Sequence, residues 1–181
     1  MSHIPGKRIQ SLTYIAVFAA LLTVCSWIAI PTPVPVTLQT LGVFLAVGLL
    51  GGRRGTTAVL VWLLMAAVGL PVLSGFRGGI GALLGSTGGY AVGFLLTALV
   101  MWAAEHLPGH RAVIFPLSMA AGLLVCYSFG TVWFVAVYAR TGQEAALSAV
   151  LAACVWPFVL PDMVKAVCAA VLAKKLRRHI R

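Results

Sequence analysis

Residues 112–139, AVIFPLSMAAGLLVCYSFGTVWFVAVYA, run for 28 positions without one charged side chain. About 20 helical residues suffice to cross the hydrocarbon core of a bilayer. The run is therefore long enough to span a membrane as one helix, and the rest of the chain agrees with that reading. Of 181 residues, 61% are hydrophobic and only 9% are charged, against roughly 25% charged in ordinary soluble domains. Mean hydropathy is +1.05. Too little polar surface exists to clothe a water-soluble globule, so the bilayer is the solvent.

Glycine, proline and charge divide the apolar sequence into six candidate spans, at about 11–30, 37–51, 55–70, 88–107, 112–139 and 144–176. The expected fold is an all-α integral membrane domain over residues 1–181. Its six transmembrane helices carry a glycine-rich outward loop and a proline-broken last unit. The second and third spans are short, about 22–24 Å at 1.5 Å per residue, and rely on tilt of neighbours or local thinning. Residues 11–30 exceed a typical signal-peptide core and lack a small-x-small cleavage site before a polar start, so a retained first span is expected. Cys25, Cys126, Cys154 and Cys168 all fall in apolar runs without Cys-x-x-Cys spacing and read as small hydrophobes.

The net charge of +10 is distributed at the ends of apolar segments. Nucleic-acid binders instead gather basic residues on a folded face, and no nucleic-acid partner is expected. Lys7, Arg8, Arg53, Arg54, Arg111 and five C-terminal residues fall on one side of a six-span topology, and only Arg77 and Arg140 on the other. That bias of ten to two places both termini in the cytoplasm. The outward segments are then PTPVPV (31–36), an extended strap by virtue of Pro31, Pro33 and Pro35, the stretch 71–87, and a turn at 140–143. GLPVLSGFRGGIGALLGSTGGY (69–90) holds eight glycines in 22 residues. Irregular apolar backbone is tolerated at a membrane where it is buried in protein or lines a cavity, so this stretch reads either as a lid or as a close-packing connector.

The last unit carries the most unusual chemistry. Pro157 and Pro161 interrupt it; a helix over 144–156, a break, and a second helix opening near Pro161 are expected, with Asp162 at its positive end. Asp162 and Lys165 share a helix face at i, i+3 and lie about 18 and 13 Å inside the cytoplasmic edge marked by Lys174. An ionisable group at such depth costs roughly 2.5–3.5 kcal/mol. Two readings follow: an internal pair whose members neutralise one another, or an anchor for a polar ligand. Together with Arg77 the pair sums to +1, complementary to one carboxylate. Gln39 adds an amide, Gly79 lies within the glycine-rich loop, and Tyr90, Trp62 and Tyr127 are candidate walls.

Other chemistries find no support. GGIGALLG (78–85) lacks dinucleotide spacing and a strand–turn–helix context, and no P-loop sequence occurs. His106 and His110 are separated by Pro108 and Gly109, which break the helix that would align them on a metal. No serine or cysteine has a base partner nearby in sequence, so neither catalytic residues nor a resident cofactor is expected. Ala16 and Ala20, four apart in the first span, form a small-x-x-x-small pair suited to close helix approach.

PVPVTLQTLGVFLAVGLLGGRRG (33–55), GLPVLSGFRGGIGALLGSTGGYAVGF (69–94) and LPDMVKAVCAA (160–170) occur together in this order. In these stretches the chain resembles the BioY family, the biotin-binding S subunits of energy-coupling-factor (ECF) transporters. The resemblance implies a six-helix subunit of a bacterial cell membrane that captures biotin from outside. Its implied partners are a transmembrane T subunit and two ABC-type ATPases, which supply the energy that a chain without a P-loop cannot. It further implies that Asp162 and Lys165 contact ligand polar groups, that the 71–90 loop closes over the ligand, and that the face bearing Ala16 and Ala20 docks on the T subunit. Gln39, Arg77, Gly79 and Tyr90 are the remaining implied ligand contacts. A carrier for another small anionic vitamin and a membrane-embedded enzyme using Asp162 are the alternative functions.

The charge bias has a direct check. A reporter fused after Arg181 is expected to be active only in its cytoplasmic form, and activity confined to the opposite side would overturn the topology.

Overall fold

In a computed structural model of the chain, the residues described are 5–30, 35–140 and 146–180. Residues 31–34 of the expected strap (31–36), and the turn beyond Arg140 with Glu144, lie outside them. The elements are α1 (Pro5–Trp27), a ribbon of β1 (Ala29–Ile30) and β2 (Val36–Thr37), α2 (Gln39–Leu50), α3 (Gly52–Ala67), a 3-10 turn (Ser74–Phe76), α4 (Ile80–Leu84), α5 (Gly88–Ala104), α6 (Arg111–Arg140), α7 (Leu147–Cys154) and α8 (Trp156–Ile180). The architecture is all-α apart from the ribbon, which pairs Ala29 with Thr37 and Ile30 with Val36.

Among the described residues, three helical segments are long and apolar enough to cross a membrane: Arg8–Trp27, Ala112–Arg140 and Leu147–Arg177. Gln39–Leu50 and Gly88–Ala104 are shorter apolar helices. At 12 and 16 residues, α2 and α3 cover about 18 and 24 Å, so α3 has the expected length and α2 falls short of it. They meet at a tight turn through Gly51, whose φ of 84° lies in the left-handed region. Charged side chains secure both helix ends there. The Glu105 carboxylate accepts from the Gly52 N–H at 2.6 Å, and Arg177 Nε donates to the Gly48 carbonyl at 2.5 Å. An anion at a helix start and a cation at a helix end both oppose the local dipole.

The closest packing joins α5 to α6. A Cβ at Gly89 would lie 2.3 Å from Trp133 Cβ, and one at Gly130 would lie 2.2 Å from the Tyr90 ring. Between them, a Cβ at Gly93 would meet Cys126 Sγ at 2.7 Å. Each helix thus offers a missing side chain where the other has a bulky one, and the backbones approach accordingly. Thr97, fully buried, bonds the carbonyls of Gly93 at 3.0 Å and Gly122 at 2.9 Å, stitching the pair together. The other strong pairings are α2 with α8, α2 with α3, and α1 with α3. A core of Leu22, Val43, Phe44, Val59, Trp62 and Met101 fills the space among them.

The last unit departs from expectation. The break falls at Val155 (φ −121°, ψ −59°), upstream of the predicted place, and Pro161 lies inside α8. Pro157 explains the shift: it occupies the helix's first turn, where a missing N–H costs nothing, while Phe158 and Val159 donate back to the Val155 carbonyl. Asp162 is consequently the seventh residue of α8, and the helix start contributes little to its charge.

Substituting Gly93 by Val should destabilise the protein by about 1–3 kcal/mol, the usual cost of overpacking. Gly81→Ala, where an added Cβ meets nothing within 4 Å, should change stability by less than about 0.5 kcal/mol. Thermal unfolding of the two purified variants checks the pair of expectations.

Candidate ligand pocket

A cavity opens at the end of the bundle where the ribbon and the glycine-rich stretch lie. Its walls come from α2, α5, α6, α7 and α8, with Leu73, Ser74 and Arg77 of the glycine-rich stretch beside them. Measured to the centres of water-sized spheres it holds about 100 Å³. One water needs about 10–15 Å³ on that measure, so the space suits a small molecule. Leu73, Ala91, Phe94, Leu123 and Phe158 supply apolar lining.

Asp162 and Lys165 line this cavity from α8 and are buried, with 3% and 7% of their surfaces exposed. Lys165 Nζ lies 2.7 Å from Asp162 Oδ1. The other carboxylate oxygen, Oδ2, accepts the Tyr127 hydroxyl at 2.5 Å. Both oxygens of the acid are therefore bonded from within the protein. The ammonium carries three N–H groups, and its bond to Asp162 leaves two that a ligand acceptor can take.

The lining that β2 and α2 contribute is neutral and polar. Gln39 Nε2 donates to Ser26 Oγ at 2.9 Å, and Gln39 Oε1 accepts from Thr37 Oγ1 at 2.8 Å. Ser26 in turn donates to the Leu22 carbonyl at 2.8 Å. The amide is thereby fixed in orientation, with one N–H and one lone pair left over. Thr40 and Tyr90 also line the cavity, and the Tyr90 hydroxyl pairs with Thr131 Oγ1 at 3.2 Å. Among the described residues, no buried side-chain nitrogen or oxygen lacks a partner.

Three indole N–H groups hold the glycine-rich stretch in place. Trp27 donates to Pro71 O at 2.9 Å, Trp62 to Val72 O at 3.1 Å and Trp133 to Gly85 O at 3.0 Å. Gly79 N–H adds a bond to Ala66 O at 2.7 Å. Between these points the chain folds into the 3-10 turn and α4, with Phe76 at a φ of 55° and its ring centroid 5.1 Å from that of Trp27 at a 30° tilt.

Of the sequence-predicted ligand residues, Asp162, Lys165, Gln39, Arg77 and Tyr90 all line the cavity. Arg77 is exposed and bonds the Ser74 carbonyl at 3.2 Å. Gly79 is not among the lining residues; with a φ of 90° it opens α4 and anchors the loop. Trp62, read as a candidate wall, is fully buried beneath the loop instead, because its indole N–H has to reach the Val72 carbonyl. Ala16 and Ala20 are exposed on α1, away from the cavity. Thr37, Thr40 and Ser26 were not singled out, although the cluster Thr37, Gln39, Thr40 in an apolar setting was a signal for two of them.

Apolar helices around a pocket lined by a buried charged pair have the character of an integral membrane protein with room for a small molecule. The whole chain, residues 1–181, matches the BioY family, and it belongs to that family. It is 39% identical over 163 residues to the biotin transporter BioY of Thermotoga maritima, covering 90% of this chain and 92% of the relative. Identity is 33% over 171 residues with the probable biotin transporter BioY of Pyrococcus horikoshii, covering 94% and 98%. Its fold matches the crystal structure of the S-component for biotin from an ECF-type ABC transporter with a TM-score of 0.82. That similarity covers 98% of this chain and 96% of the other at 26% identity.

The charged pair has a stability signature. Removing either partner should cost about 3–5 kcal/mol by leaving a buried charge uncompensated, whereas Asp162→Leu with Lys165→Leu should recover most of that loss. Thermal unfolding of both single variants and the double, without ligand, measures it.

Proposed function

We propose that this chain is the biotin-capturing S subunit of an ECF-type transporter, acting as one six-helix membrane domain over residues 1–181. Its spans are α1, α2, α3, α5, α6 and the α7–α8 unit. The observation that carries the reading is the buried Asp162–Lys165 anchor lining a cavity in a BioY-family chain. The free N–H groups of Lys165 take an acceptor of the ligand. Gln39 and Tyr90 offer further polar contacts, and Arg77 at the loop adds positive charge for a carboxylate. The segment between the indole ties at Val72 and Gly85 closes over the bound molecule, with Gly79 as its anchor on α3.

BioY is a family of transporter subunits, not of enzymes, and the uphill work falls to partners. A transmembrane T subunit docks on the exposed face of α1 around Ala16 and Ala20, and ABC-type ATPases drive the assembly. The chain resides in the cell membrane with both termini in the cytoplasm, as the Lys and Arg distribution supports.

Native mass spectrometry of the protein purified without added vitamin identifies the ligand directly. Titration should give about one biotin per chain, and the purified chain should hydrolyse no ATP. Lys165→Ala should weaken biotin binding about tenfold or more, since a charge-assisted hydrogen bond is worth roughly 1.5–3 kcal/mol. A different bound vitamin, or an Asp162→Leu, Lys165→Leu double variant that binds biotin like the parent, would refute the assignment.

A further inference from the structure

The cavity's walls fall into two halves, the pair α5–α6 and the pair α2–α8, joined where α2 meets α5. α6 packs chiefly on α5, and α8 chiefly on α2. Direct packing between α6 and α8 is slight. The bond from the Tyr127 hydroxyl on α6 to Asp162 Oδ2 on α8, at 2.5 Å, bridges these halves at the ligand anchor itself.

Each end of that bridge is held from behind. Cys126, beside Tyr127, is buried against α5: its Sγ reaches toward the Tyr90 carbonyl at 3.6 Å and occupies the space over Gly93. Tyr127 is thus registered by the interdigitation of α5 with α6. On the other side, Asp162 holds Lys165 through Oδ1 at 2.7 Å. The terminal torsion of an aspartate is broad and roughly two-fold. A carboxylate held at only one oxygen can turn and carry the ammonium with it, while one held at both cannot.

We propose that Tyr127 is a positioning residue of the anchor, whose hydroxyl fixes the Asp162 carboxylate and through it the direction of the Lys165 ammonium toward the ligand. The inference rests on the reading of this cavity as the biotin site. It assigns to Tyr127 a role distinct from an apolar wall: the ring could be replaced by phenylalanine with its packing intact, but the site would lose its aim.

A double-variant cycle on the full-length chain tests this, with biotin affinity measured for the parent, Tyr127→Phe, Asp162→Asn and the combination. Tyr127→Phe should weaken binding about tenfold in the parent, because the freed carboxylate lets the Lys165 ammonium turn away from the ligand. In the Asp162→Asn background it should cost less than about twofold, because the residue through which it acts has changed. If Asp162→Asn binds too weakly for direct titration, the same affinities are read by competition against labelled biotin at higher protein concentration. If Tyr127→Phe does not fold, Tyr127→His, which keeps a ring and an N–H donor, takes its place in the cycle.

An equal loss in both backgrounds would mean that Tyr127 touches the ligand directly, and no loss in the parent would mean that it positions nothing. Either result overturns the proposal. A parent that binds biotin, and loses it on Lys165→Ala but not on Tyr127→Phe, overturns this inference alone. A parent that does not bind biotin overturns the function as well.

Discussion

The approach of α5 to α6 is the constraint on which the pocket rests. Gly89, Gly93, Gly122 and Gly130 supply gaps that Trp133, Cys126, Thr97 and Tyr90 fill from the facing helix. In a bilayer, helix association gains little from hydrophobicity and depends on packing and interhelical hydrogen bonds. Interdigitation of this kind therefore sets both distance and register. Tyr90 and Tyr127 project from these two helices into the cavity, and Trp133 reaches the Gly85 carbonyl from the same interface. A shift of one turn between the helices would withdraw all three.

The charged pair is tolerable at its depth because its hydrogen bonding is nearly closed. Asp162 receives Lys165 and Tyr127, and burial strengthens those contacts by excluding water. Stability alone is a poor reason to keep such a pair, since apolar replacements often serve as well. On the proposed function, the N–H groups left on Lys165 give the pair a use. Behind the lining from β2 and α2, Ser26, Thr37 and Gln39 are chained by hydrogen bonds, so the amide, like the carboxylate, is held in one orientation.

Much of this was legible in the sequence because membranes leave a strong imprint on composition. The limits of α5 and α6 fall within a few residues of the apolar runs, and Asp162 with Lys165 stood out as the only acid–base pair in a long apolar stretch. Other features left no such mark. Pro161 looked like a helix start because local rules favour it there, yet Pro157 claimed that position and the helix ran through. The indole bonds of Trp27, Trp62 and Trp133 join residues 44, 10 and 48 positions apart and follow no periodicity. The partnership of Tyr127 with Asp162 is hidden for the same reason: it links two helices whose relative placement depends on glycines elsewhere.

The cysteines take on another meaning once the cavity is known. Cys126 and Cys154 are free thiols that line it, whereas Cys168 is free and exposed on α8 and Cys25 is buried in the bundle. Both lining sulfurs are buried, each with 2% of its residue's surface exposed. Alkylation at these two positions, set against that at the exposed Cys168, therefore compares access to the cavity with access to the open side of α8.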